Sequence, residues 1–257
     1  MKNLLVLLLF GSSFLTAQSR FDGTWEMKMN TLQFSGPPEQ YLFDEGMYHC
    51  LSCVPKVHVK TDGTDQKVTG FAHYDTLAVR ILDSNSVEFT MKKEGKPTFR
   101  CTETVSPGGE TMTEVFTNTM EAETVTGRAG FTRVSKGPSG SHALSGEWRM
   151  DTVKNATRAG TLTIIQTTAG GLRFFDGSES YEAKFDGIDR PVSGKPAQST
   201  AALKRIDDNT IEEISTQDGK VIGVKRMTLS KDGTSMKVEV TDKVRGTAMI
   251  YTAQKQP

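Results

Sequence analysis

The feature that most constrains this chain is an internal repeat. When the sequence is shifted against itself by 124 residues, positions 60–115 align with positions 184–239 without a gap, and 17 of those 56 positions are identical. Average residue usage would give about three or four identities by chance. The chain is therefore a duplication. The matching segments include Lys60–Asp65 with Lys184–Asp189, Leu82–Glu88 with Ile206–Glu212, and Glu94–Lys96 with Asp218–Lys220.

The repeat also sets the domain organisation. A period above 100 residues is too long for a solenoid, whose units are roughly 20 to 50 residues, so each copy has the size of a domain. A segment rich in Gly, Ser and Pro separates the copies and disfavours regular structure. We predict a first repeat at 20–134, a linker at 135–143 and a second repeat at 144–257.

The matched residues are mostly those of tight turns between strands. Pairs such as Glu94-Gly95 and Asp218-Gly219 supply the positive φ that two-residue hairpins need. Apolar and polar residues alternate between these turns, as in Met236–Val240, and strand signals recur about every 8 to 12 residues. Closing such a sheet removes its exposed edges. The sequence therefore predicts an all-β protein with two tandem antiparallel meander β-barrels of about eight strands each.

The N-terminus predicts export. Lys2 precedes the apolar run Leu4–Phe10, and small residues follow up to Ala17 and Ser19, which is the pattern of a secretory signal peptide. We expect residues 1–19 to be this peptide and the mature protein to be periplasmic or extracellular. The run is too short for a transmembrane helix and no second one follows, so we expect no membrane span. Equal numbers of basic and acidic residues, 31 each, argue against a nucleic-acid partner.

A short motif opens each repeat. Gly23-x-Trp25 and Gly146-x-Trp148 resemble the Gly-x-Trp start of lipocalins. In that family the Trp plugs one end of the barrel and an Arg near the last strand packs across it. The resemblance implies this part for Arg133 in the first repeat, whereas Ala253 aligns with Arg133 in the second. A plain core role for Trp25 and Trp148 is the alternative.

The chain also resembles, across nearly its whole length, exported bacterial tandem β-repeat proteins of unassigned function, and this resemblance implies location and architecture. The lipocalin resemblance implies carriage of a small apolar ligand in the barrel mouth.

Residues that differ between the repeats are the candidates for a specific function. All three cysteines, Cys50, Cys53 and Cys101, lie in the first repeat, as do three of the four histidines. In an oxidising compartment a cysteine pair of suitable geometry forms a disulfide. We expect Cys101 to pair with Cys53 or Cys50, which leaves one thiol spare. A loop of that size would stabilise the fold by about 3 to 4 kcal/mol on the entropy model.

Two other interpretations of the Cys50-x-x-Cys53 segment stay open. A redox role requires the first cysteine to open a helix within a βαβ unit, and nothing nearby has that pattern. A metal site could use His49, Cys50, Cys53 and His58, although one Cys-x-x-Cys is half of a usual zinc framework.

The chain lacks the short motifs of common enzymes: it has no Gly-rich phosphate loop, no Gly-x-Ser-x-Gly and no His-Glu-x-x-His. We therefore expect a non-enzymatic exported protein without a cofactor that binds a small apolar ligand. A redox or metal-handling module at Cys50 and Cys53 is one alternative, and an envelope scaffold or protein–protein interaction module is another. The sequence does not predict the oligomeric state.

Overall fold

A computed structural model describes residues 19–120, 124–154, 156, 160–168, 170–177, 179–194 and 198–257, so most of the expected signal peptide lies outside it. The described chain is all-β, as predicted, with a single 3₁₀ turn at Met29–Thr31. No helix in these ranges is long and apolar enough to cross a membrane.

The strands of the first repeat are β1 Gly23–Met27, β2 Gln33–Ser35, β3 Glu39–Asp44, β4 Met47–Cys50, β5 Val57–Lys60, β6 Gln66–Lys67, β7 Thr76–Ile81, β8 Ser86–Lys93, β9 Lys96–Val105, β10 Thr111–Asn118 and β11 Val125–Lys136. Those of the second are β12 Gly146–Lys154, β13 Thr161–Gln166, β14 Leu172–Asp176, β15 Glu179–Ala183, β16 Arg190–Pro191, β17 Ser199–Arg205, β18 Thr210–Gln217, β19 Lys220–Leu229, β20 Ser235–Asp242 and β21 Thr247–Lys255.

These strands form two nearly closed antiparallel barrels in tandem. The first barrel has the order β5-β4-β3-β12-β11-β10-β9-β8-β7-β6, and the second has the order β15-β14-β13-β1-β21-β20-β19-β18-β17-β16, with β2 also paired to β21. In the first barrel, a bridge across the gap in the sheet joins Asp62, just after the end strand β5, to Arg80 of β7. In the second, Ser180 and Ser193 bridge it through two backbone hydrogen bonds of 3.1 and 2.8 Å.

The strand numbers differ from the prediction. The two sheets have ten and eleven strands among the described residues, against about eight expected for each. Two-residue strands such as Gln66–Lys67 are too short to show alternation, so the sequence pattern does not reveal them. The predicted hairpin turns are present, because Glu94 and Gly95 have φ of 50° and 77°, and Asp218 and Gly219 have φ of 50° and 73°.

The opening strands of the two repeats are exchanged between the barrels. Strand β1 of the first repeat lies in the second barrel between β13 and β21, where Trp25 is opposite Leu162 and Lys255. Strand β12 of the second repeat lies in the first barrel between β3 and β11, where Trp148 is opposite Arg133. The boundaries of the repeats in the sequence are therefore not the boundaries of the barrels.

The exchange changes the role of the segment predicted as a linker. Residues 137–145 form the loop of a hairpin between β11 and β12 within the first barrel, closed by a Gly137 N–H bond to the Ser145 carbonyl at 3.1 Å. Leu144 in this loop is fully buried in the barrel core. The first barrel is thus formed by one continuous stretch of chain, from β3 to β12. This stretch is inserted between β1 and β13, which both belong to the second barrel.

Candidate functional site

The Gly-x-Trp tryptophans occupy matching positions at the two barrels. Trp25 and Trp148 are both fully buried. The indole N–H of Trp25 donates to the Phe21 carbonyl at 2.8 Å, and that of Trp148 donates to the Leu144 carbonyl at 2.9 Å. Each indole is therefore fixed to the backbone of the residue four positions earlier in the chain.

The cationic partners of the tryptophans come from the opposite repeat. The Arg133 guanidinium carbon lies 3.9 Å from the ring centroid of Trp148, not beside Trp25 as the resemblance implied. The Lys255 ammonium lies 5.4 Å from the ring centroid of Trp25. In the strand registers Lys255, rather than Ala253, stands where Arg133 stands in the first barrel. Because both opening strands are exchanged, each barrel keeps one tryptophan and one cation.

The disulfide prediction was wrong in its pairing. Cys50 is bonded to Cys53, with their Cα atoms 5.4 Å apart, and Cys101 is a free buried thiol. Cys101 lies on β9, which is separated from β4 by several strands in the sheet. Since the bond closes a loop of only four residues, the entropy model gives about 2 kcal/mol of stabilisation. Cys50 ends a strand, so the helix that a thioredoxin-like motif requires does not start there.

The predicted metal ligands around Cys50 are divided between the two faces of a strand. Cys50 points into the barrel core, whereas His49, its neighbour on β4, lies on the outer face with the exposed His58 of β5. Successive residues of a strand face opposite sides of the sheet, so His49 and Cys50 cannot ligate one ion. His49 and His58 do meet, with their Nδ1 atoms 2.6 Å apart.

A group of potential metal ligands lies inside the first barrel. Cys101 and Glu103 are on alternate positions of β9, and Glu114 of β10 is directly opposite Glu103 in the strand register. One ligand atom from each of these three residues lies within 4.8 Å of the other two. We call these residues the inner acidic cluster.

Burial controls the chemistry of the inner acidic cluster. Glu103 is only 5% exposed, and its Oε2 atom has no hydrogen-bond partner among the residues that the structure describes. Burial, and then repulsion from Glu114 and Glu39, raises the pKa of the Glu103 carboxyl well above its usual range. Burial raises the pKa of Glu114 to about 7, although a hydrogen bond with Cys101 opposes the rise. Both carboxyls therefore tend to take up protons in the metal-free barrel.

The second barrel has a different arrangement at the same positions. The repeat aligns Lys225 with Cys101, and Met227 and Val238 with the two glutamates. The Lys225 ammonium lies 3.1 Å from an Asp176 oxygen and 3.5 Å from a Glu213 oxygen. Burial opposes the charge of Lys225, but these carboxylates raise its pKa above the usual range. The buried Glu213 of the second barrel thus has a cation beside it.

No such cationic partner lies beside the inner acidic cluster in the described ranges. Within the part of the chain that the structure describes, no Lys or Arg forms an ion pair with Glu103 or Glu114. Nearby, the Tyr41 hydroxyl donates to the Glu39 carboxylate, which adds a further acid rather than a base. An unpartnered buried carboxyl oxygen is costly, on the order of 1 to 3 kcal/mol.

Two small pockets of the second barrel share Leu162 and Asp176 in their linings. Their cavity volumes are about 20 and 30 Å³. A volume of roughly 10 to 15 Å³ is needed for one water molecule, whereas ligand pockets begin at about 300 Å³. These two pockets have room for one or two waters.

Comparison with models of known protein families gave no match, and neither did comparison with curated proteins. The inner acidic cluster must therefore be judged on its own geometry.

Our sequence analysis missed Glu103 and Glu114, although a signal was present. Alternate residues of β9 point into the barrel, and Glu103 takes the inward position between Cys101 and Val105. A carboxylate at an inward position of an alternating strand is unusual, because Glu is almost never fully buried without a partner.

Proposed function

We propose that this chain is an exported, non-enzymatic β-barrel protein that binds a divalent metal ion inside its first barrel. The observation that carries the proposal is the unpartnered Oε2 of buried Glu103, which lies in one cluster with the Cys101 thiol and the Glu114 carboxyl. A bound cation there would take the role that the Lys225 ammonium has in the second barrel.

The ligand set favours a particular kind of ion. One thiolate and two carboxylates suit Zn²⁺, which accepts sulfur and oxygen ligands in a tetrahedral arrangement with an open position for water. A harder ion such as Mg²⁺ would not select sulfur. Binding requires deprotonated ligands, so the ion would displace protons from the Cys101 thiol and the glutamate carboxyls.

The two pockets of the second barrel are too small for an apolar ligand. The two pockets of the second barrel hold about 20 and 30 Å³, whereas a metal ion needs no large cavity. Export is supported by the apolar N-terminal run and by the Cys50–Cys53 disulfide, which suits an oxidising compartment.

Cobalt binding tests the proposal, because Co²⁺ replaces Zn²⁺ and gives a charge-transfer absorption with a thiolate ligand. Cys101 is the remaining free thiol of the three cysteines, so this absorption reports the inner acidic cluster. We expect one equivalent of Co²⁺ to produce it and Zn²⁺ to abolish it. Because Glu103 is buried, Co²⁺ is also added during refolding from urea, so that slow entry does not hide binding.

Variants locate the site. Cys101→Ser should remove the charge-transfer band, and Glu103→Gln should weaken Co²⁺ binding strongly. Glu213→Gln is the matched control, because Glu213 is also 5% exposed but has Lys225 beside it. This control should lower stability and leave the band unchanged. No band in either native or refolded protein, or equal effects of the Glu103 and Glu213 variants, would overturn the proposal.

A further inference from the structure

The outer face of the first barrel carries a second group of metal-ligating side chains that the inner acidic cluster does not use. His49 on β4 and His58 on β5 are directly opposite in the antiparallel register. Their Nδ1 atoms are 2.6 Å apart, and the Nε2 atom of His49 lies 2.9 Å from an Asp44 carboxylate oxygen. Strand β5 is an end strand of its sheet, and His58 is exposed.

Asp44 determines which nitrogen of His49 is free. An ionised carboxylate can only accept a hydrogen bond, so the Nε2 atom of His49 must carry the donated hydrogen. In the neutral ring the lone pair then lies on Nδ1, which is the atom that faces His58. This is the arrangement in which a carboxylate orients a metal-ligating histidine through its second nitrogen.

The tautomer of His58 decides what lies between the two Nδ1 atoms. When His58 has its hydrogen on Nε2, both Nδ1 atoms present lone pairs, and only a proton or a metal ion relieves their repulsion. Two imidazole nitrogens in neighbouring positions of a tetragonal Cu²⁺ ion lie about 2.8 Å apart, from bonds of about 2.0 Å. The present separation of 2.6 Å between the two Nδ1 atoms is slightly shorter than this value.

We propose that His49 and His58 form an exposed binding site for a divalent transition-metal ion that prefers imidazole, such as Cu²⁺, with water in the remaining positions. Asp44 is a positioning residue, because it acts on the ion only through His49. The site goes beyond the proposed function: it lies on the opposite face of the barrel wall from the inner acidic cluster and does not require it.

The test uses full-length mature protein with the Cys101→Ser substitution, so that a thiolate cannot contribute. Cu²⁺ is added, and electron paramagnetic resonance detects its nitrogen ligands. We expect the coupling pattern of two equivalent imidazoles, which His58→Ala or His49→Ala should reduce to one or none. Asp44→Asn should keep the two-nitrogen pattern and weaken Cu²⁺ affinity by about 10- to 100-fold.

His73→Ala is the matched control, because His73 is an exposed histidine of the same barrel outside this pair. It should leave both the spectrum and the affinity unchanged. Urea unfolding checks that each variant is folded. If the His49→Ala/His58→Ala double variant binds Cu²⁺ as tightly as its parent, the pair shares only a proton and the inference is wrong. The cobalt band of unsubstituted protein reports the inner acidic cluster separately, so either site can fail alone.

Discussion

Replacing Arg133 with alanine should lower the stability of the first barrel around Trp148. The guanidinium stacks 3.9 Å from the Trp148 ring centroid. It also donates hydrogen bonds to three backbone carbonyls, those of Gly109, Ala143 at 2.7 Å and Ser145 at 2.9 Å. The substitution removes all four interactions together, and it loosens the hairpin loop that carries Leu144.

The size of the effect follows from these contacts. A cation–π contact at a half-buried site contributes about 1 kcal/mol. A hydrogen bond to a charged donor contributes roughly 1.5 to 3 kcal/mol, but water can replace part of each at a barrel end. We expect a loss of about 3 to 4 kcal/mol for Arg133→Ala. Lys255→Ala is the matched variant in the other barrel and should cost less than about 1 kcal/mol, because its ammonium is 5.4 Å from the Trp25 ring.

The two tryptophans make the assay specific. In a Trp25→Phe background, fluorescence reports Trp148 alone, and in a Trp148→Phe background it reports Trp25 alone. With a urea m-value of about 1 to 3 kcal/mol/M, Arg133→Ala should lower the midpoint reported by Trp148 by roughly 1 to 4 M. In native buffer it should also change the emission of Trp148, and Lys255→Ala should change that of Trp25.

The opposite result would refute strand exchange. If Arg133→Ala alters the native emission of Trp25 and leaves that of Trp148 unchanged, the arginine closes the barrel of its own repeat. The registers that pair β12 with β11 and β1 with β21 would then be incorrect.

Three further predictions follow from the same structure. Gly146→Ala should lower the free energy of unfolding, measured by thermal denaturation, by about 3 kcal/mol or more, because φ of Gly146 is +126° and the new Cβ would meet a backbone carbonyl of the first repeat. In Gly23→Ala the new Cβ would meet a flexible lysine side chain, so this variant should lose less. Equal losses in the two variants would count against the strand exchange. Thiol titration should find no reactive thiol in native protein, one in denaturant from Cys101, and three after reduction; two or three before reduction would exclude the disulfide. A hydrogen bond from Arg100 lowers the pKa of Glu88, so the Glu88 carboxylate stabilises the fold above its ordinary pKa, and the effect is lost as pH falls through the lowered pKa. Glu88→Gln should cost up to about 1 kcal/mol in urea unfolding at neutral pH, and a loss that does not shrink as pH falls below the ordinary glutamate pKa would contradict this.

Much of the local structure was predictable because it depends on neighbouring residues. The Glu94-Gly95 and Asp218-Gly219 pairs predict hairpin turns, and both show positive φ at each central residue. Alternation in segments such as Met236–Val240 predicts strands that bury one face, and Met236 and Val238 are fully buried. Turn geometry and period-two alternation extend over a few residues, so the sequence alone is sufficient for them.

The candidate sites were less predictable because they depend on register. The sequence singled out His49 and His58, but placed them with Cys50, which faces the other side of the strand. It did not single out Glu103 and Glu114, which are brought together only when β9 and β10 pair with these two residues opposite each other. A shift of one residue would send either side chain to the outer face.

The sequence by itself determined that the chain is one hairpin-rich module written twice, because duplication and turn chemistry are local properties. Only the tertiary structure decided which opening strand completes which barrel. Both strands carry Gly-x-Trp, so either would fit either barrel by local pattern. The nine-residue connection 137–145 keeps β12 beside β11 as a hairpin, and β1 is left to complete the second barrel. That choice rests on chain connection and closure, which no local sequence pattern encodes.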